Sequence, residues 1–175
     1  MKFLVSKTVH SNPNFKLLLG FYSFLLLFYF IGDLFYLQHF FGDSPTSILS
    51  TLKGNEEEFI EPLSLLSLLE HIHISLFLGI MALFTTMAII LRLELSKGHK
   101  GTIIVLSMLS LLIANLSLLA TYFFSSFFVY LFFGGTLLWH VMGVYALLLI
   151  LKELLSKRWS VKSSIFFCSS LLLFW

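Results

Sequence analysis

The chain is 175 residues long, 58% hydrophobic and only 11% charged, with a formal net charge of +2. Soluble domains carry roughly a quarter charged residues, so these values exclude an ordinary soluble enzyme and point to a polytopic helical membrane protein. No basic patch with interleaved aromatics occurs outside the membrane flanks, which excludes nucleic acid as a partner.

Residues 1–16 form a short basic lead-in. The apolar run 17–41 follows. It is longer than the ~7–15 residues of a signal-peptide core and lacks a small-x-small cleavage site, so it reads as a retained first transmembrane helix. The loop 42–61 contains Gly42-Asp43-Ser44-Pro45. Ser44 suits an N-cap, Pro45 the first helical position, and Gly54 the stop. Ile48, Leu49 and Leu52 share one side of this piece, which predicts a short interfacial helix lying on the membrane surface. The acidic run Glu56-Glu57-Glu58 reads as a solvated loop. A second span is predicted over 62–93, starting at Pro62.

After the turn Ser96–Gly101 the apolar stretch from Thr102 to Leu151 holds two spans. Its break falls at Ser125-Ser126 or at Gly134-Gly135. Equal helix lengths favour the glycines, giving spans 102–131 and 134–155. The apolar tail 160–175 is too short to cross a bilayer. The expected architecture is a single all-α membrane domain, a four-transmembrane-helix bundle.

Lys2, Lys7, Lys16, Arg92, Lys97, Lys100, Lys152, Lys157, Arg158 and Lys162 fall on one side, leaving Lys53 alone on the other. By the positive-inside rule both termini lie in the cytoplasm and the acidic loop faces out. The expected location is the inner (cytoplasmic) membrane of a bacterium. Cys168 is the one cysteine, so no intrachain disulfide can form.

Ionisable residues inside spans are costly and mark function by default. Measured from the cytoplasmic flanks at ~1.5 Å per residue, Asp33, His73, Asn115 and His140 rise to a common level of roughly 22–28 Å. Each helix thus offers one polar group to the outer half of the bilayer. Glu70 and His73 are three apart and share a face, while His71 points roughly 130° away from them. Asp33 shares its face with Tyr36. Ser107, Ser110, Ala114 and Ser117 form a stripe of small residues that lets membrane helices pack closely.

Three chemistries fit these residues. The first is haem b, held axially by His73 and His140 with His71 as a further candidate. Asp33, Glu70 and Asn115 would support the ligands, and Gly143 would leave room for a ring edge. In architecture, though not in histidine spacing, this resembles small four-helix membrane-bound b-type cytochromes. The resemblance implies a redox subunit passing electrons between quinol and an outside partner. The second is a one-sided transition-metal site from His73, His140 and Glu70, with Asp33 nearby. The third is proton handling, which the inner half, offering mainly Thr85 and Thr86, restricts to one side. Against these stands a non-catalytic subunit or accessory protein with no cofactor, in which the same groups only glue helices. Expected partners are the lipid bilayer, a quinone, and other membrane subunits or a second copy in a homo-oligomer.

Overall fold

The computed structural model describes residues 13–156; the predicted tail 160–175 lies outside them. Five helices follow in order: α1 Pro13–Phe41, α2 Pro45–Lys53, α3 Leu65–Ile90, α4 Lys97–Phe123 and α5 Phe128–Ser156. All except α2 are long and apolar enough to cross a membrane, so the protein is a four-helix membrane bundle. Helices are the expected solution, because each satisfies its own backbone groups in a solvent that cannot.

The predicted short helix forms at α2. Ser44 accepts from the Ser47 backbone N–H at 3.2 Å, and the Ser47 hydroxyl accepts in return from the Ser44 backbone N–H at 3.1 Å. Gly54 ends the helix at φ +81°, a conformation that favours glycine. Its apolar side turns into the protein. Ile48 and Leu52 are buried with Phe41, Leu68, Leu118 and Phe132, so α2 caps one end of the bundle.

The second span begins at Leu65, with Ser64 as its cap accepting from the Ser67 N–H at 3.1 Å, instead of at Pro62. The next starts at Lys97 behind Ser96, which takes the loop glycines Gly98 and Gly101 into the helix. The break between the last two spans lies at Ser125-Ser126 and not at Gly134-Gly135. There the Phe127 backbone N–H reaches Ser125 Oγ at 3.3 Å and Lys53 Nζ donates to Ser126 Oγ at 3.3 Å. A glycine inside a helix costs ~1 kcal/mol. Breaking the backbone ladder inside hydrocarbon costs several, so the glycines stay helical.

The α4–α5 hairpin is the tightest pairing in the bundle. Ser107, Ser110, Ala114, Ser117 and Thr121, spaced three and four apart along α4, are all buried. Gly135 lies against this stripe. A Cβ built there would stand 2.9 Å from the Ala114 backbone nitrogen, whereas one on Gly134 would meet nothing within 4 Å. Small residues on both sides bring the two backbones together and replace the hydrophobic drive that lipid removes. At the far end from α2, His99 Nε2 and the Tyr145 hydroxyl meet at 2.8 Å and hold the start of α4 to α5.

This asymmetry between neighbouring glycines is testable. Gly135→Ala is expected to destabilise the protein by ~1–3 kcal/mol through overpacking against backbone. Gly134→Ala is expected to be neutral or to stabilise by up to ~1 kcal/mol. Thermal unfolding of the two variants in detergent reads the difference; equal shifts would remove the close approach.

Candidate functional site, a carboxylate–imidazole pair between α1 and α5

Helix α1 packs chiefly on α5. Phe30 is buried beside Trp139 and enters the notch at Gly143, where any Cβ would collide with its ring. The ring edge for which Gly143 makes room is therefore a phenyl of the protein itself. Three residues along α1, one turn nearer α2, Asp33 comes onto the same seam. Its Oδ2 lies 3.2 Å from His140 Nε2, with the two side chains 22% and 4% exposed.

The other imidazole nitrogen decides the protonation logic. His140 Nδ1 is 2.8 Å from the Thr136 carbonyl oxygen, one turn back on its own helix. A carbonyl only accepts, so Nδ1 carries a hydrogen. Nε2 of a neutral ring would then turn a lone pair toward a carboxylate oxygen. The contact is attractive only when one further proton sits on Nε2 or on Asp33. The approach is off the line of a well-formed hydrogen bond, and among the described residues His140 Nε2 has no other partner. The pair is thus a close contact that would be attractive, and without net charge, with one proton shared between the two groups.

Around it, the Trp139 indole meets the Tyr29 hydroxyl, and Asp33 lies within electrostatic range of both Tyr29 and His71. His71 is buried on α3. Its ring is stacked on Tyr36 and Phe40 and met edge-on by Phe41, at centroid distances of 5.6, 5.7 and 4.8 Å. The Tyr36 hydroxyl is 3.4 Å from His71 Nδ1. A second hydroxyl bridge, Tyr22 to Thr85, ties α1 to α3 in the other half of the bundle. Backbones of α1 and α3 stay apart, so these side chains carry the contact.

Of the residues expected to converge, Asp33 and His140 meet, while His71 on α3 contacts Tyr36, Phe40 and Phe41 and lies within electrostatic range of Asp33. Glu70 and His73 do not. Both are exposed on the outward side of α3, because that helix turns Leu68, His71, Ile72, Gly79, Leu83, Thr86 and Ile90 inward. His73 and His140 therefore do not flank one cavity. Among the described residues no three histidine, cysteine, aspartate or glutamate side chains gather as metal ligands, so the set His73, His140 and Glu70 is not assembled. Asn115 is buried but donates to the Leu111 carbonyl of its own helix at 2.9 Å, away from the pair. Tyr29 and Trp139 escaped the sequence reading. The signal for Tyr29 was its place one turn before Asp33, on the stripe that also holds Tyr22 and Tyr36.

Beside the pair, on the side away from α2, a small cavity is walled by Phe30, Thr86, Ser107, Trp139 and Gly143, among others. It offers about 20 Å³ to the centre of a water molecule, enough for one. The Thr86 hydroxyl is buried there with no hydrogen-bond partner among the described residues.

The fold and this site define a polytopic α-helical membrane protein with an interhelical ionisable pair. Over residues 42–160 the chain matches the Aq_1264_TM transmembrane helical domain, and it belongs to that family. The match takes in α2 to α5, with His71 and His140, and leaves out α1, with Asp33. Comparison with curated proteins and with solved structures gives no match.

If Asp33 and His140 share a proton, their effects on stability are not additive. Asp33→Ala and His140→Ala should each lower the unfolding temperature, because each strands a buried polar group. The double variant should lose less than the sum, by ~1–3 kcal/mol of coupling. A cycle of the four proteins in detergent measures this, and strict additivity would mean that the two side chains do not interact.

Proposed function

We propose that this protein is a non-catalytic membrane helical subunit whose Asp33–His140 pair takes up and releases a proton inside the bilayer. One observation carries the reading. His140 commits Nδ1–H to the Thr136 carbonyl and turns Nε2 to Asp33 at 3.2 Å, so the contact gains or loses its attraction with a single proton. Polar groups at membrane depth commonly mark such sites. The cavity at Thr86 and Ser107 has room for a water that would bring a hydroxyl relay beside the pair. The lysine and arginine distribution supports a cytoplasmic membrane with both termini inside and the pair in the outward half.

The test is infrared difference spectroscopy of the full-length protein in lipid between acid and alkaline conditions. A carboxyl C=O band that disappears in Asp33→Asn and shifts in His140→Gln is the expected result. Spectra identical in wild type and Asp33→Asn would overturn the proposal.

A second reading is favoured by the burial of two histidines on different helices around Asp33. In it a haem b is held by His71 and His140, and the chain passes electrons from quinol to a partner. His71 and His140 would have to leave Tyr36 and Asp33, and Phe30 and Trp139 would have to clear the space beside His140; this ranks it second. Oxidised and reduced absorbance spectra of the purified protein, with metal analysis, decide it. A haem b spectrum lost in His140→Ala would establish this reading; no Soret band and no iron would remove it.

A further inference from the structure

The outward side of α3 carries two ionisable groups that nothing in the bundle explains. Glu70 and His73 are exposed, and among the described residues neither has a hydrogen-bond or ion-pair partner. They are not at the helix end. Centring the 26 residues of α3 on a ~30 Å hydrocarbon core puts Glu70 roughly 3 Å and His73 roughly 8 Å below its edge. Glutamate can reach the headgroups from there. The imidazole has a short stem and cannot snorkel as a lysine does. Ionisable residues in spans almost always face protein or a water-filled cavity.

They belong to one continuous exposed stripe of the helix. Leu66, Glu70, His73, Phe77, Ile80 and Phe84 follow one another at four, three, four, three and four residues, and all six are exposed. Such alternation keeps a seam straight along a pair of supercoiled helices.

We propose that this seam is the contact between two copies of the chain, joined through Glu70 and His73. The choice of a second copy follows from complementarity. Two copies inserted in the same direction can be related only by a two-fold axis along the membrane normal, which sets the two α3 helices side by side and parallel. The contact is then isologous, so every pairing occurs twice. An acid and a base three residues apart differ in height by ~4.5 Å along the helix, within reach of a glutamate side chain. Like residues are level across the axis, so each Glu70 leans along the helix to His73 of the other copy, away from the opposite carboxylate, and Phe77, Ile80 and Phe84 pack below. A single seam satisfies four polar side chains that would otherwise face lipid. The proposal does not depend on the Asp33–His140 reading, since that pair lies on other helices.

The test uses the full chain in lipid bilayers, with Cys168 replaced by serine. Oxidative cross-linking of Phe77→Cys and of Ile80→Cys is expected to give dimers, and Phe28→Cys, exposed on α1, is expected to give none. Energy-transfer titration against lipid dilution then reads the affinity. Glu70→Gln and His73→Ala are each expected to weaken the dimer about tenfold, since each removes the same interhelical contact twice. The exchanged variant Glu70→His with His73→Glu restores the pairing and should return most of the affinity. A monomer at every dilution, or cross-links as strong at Phe28→Cys as on the seam, would overturn the proposal. So would single variants that dimerise like wild type. The last result means that the two groups serve the headgroups or a different protein.

Discussion

A carboxylate on a membrane helix has no solvent to turn to, and Asp33 meets this constraint by turning to His140. Much of the arrangement of α1 follows from that contact. The helix leans on α5, where Phe30 fits the Gly143 notch one turn from the pair, and it touches α3 through Tyr22, Tyr36, Phe40 and Phe41 among others. The carboxylate sets the rotation of α1, because only one face can hold Asp33 against α5 while Tyr36 reaches His71.

The opposite half of the fold follows a different rule. The α4–α5 hairpin contains the close backbone approach at Gly135 and Ala114 and a file of buried hydroxyls. Those hydroxyls bond back to their own helix, Ser117 to the Ala114 carbonyl and Thr121 to that of Ser117. They are small first and polar second. A hairpin closed in this way needs no charged group, which leaves His140 free to present one edge to α1. The α2 helix covers the end of this frame with Ile48 and Leu52, so the end of the bundle beside the pair is closed by apolar side chains.

Much of this was legible in the chain. Length and hydropathy define four spans, and Ser44, Pro45 and Gly54 mark α2 within a residue, because caps are local chemistry. The depth argument brought Asp33 and His140 to one level, where they meet. What failed was the choice of side on α3. Glu70 and His73 share a face opposite to His71, and two ionisable residues outvoted one. Gly79 and Thr86 were the better guides. Small residues mark where a helix meets a neighbour, and Gly79 lies against Leu111. The break at Ser125-Ser126 was hidden for a related reason. Gly134 and Gly135 look alike in sequence, yet one faces outward and the other meets a backbone, and only the partner helix distinguishes them. Gly143 leaves room for a ring edge, and the ring there is Phe30, more than a hundred residues earlier in the chain.

The notch and the pair together give α1 the mechanics of a door. Phe30 is the pin, a rigid ring in a slot cut to its width. Asp33 is the latch, one turn away on the same edge. In the proposed reading the latch is closed while the pair shares a proton. Without it, a lone pair and a carboxylate oxygen stand face to face at 3.2 Å. A small rotation of α1 about Phe30 would separate the two. That rotation would swing Tyr36 against the aromatic box of His71, so the presence or absence of one hydrogen nucleus would be felt as a torque on a third helix.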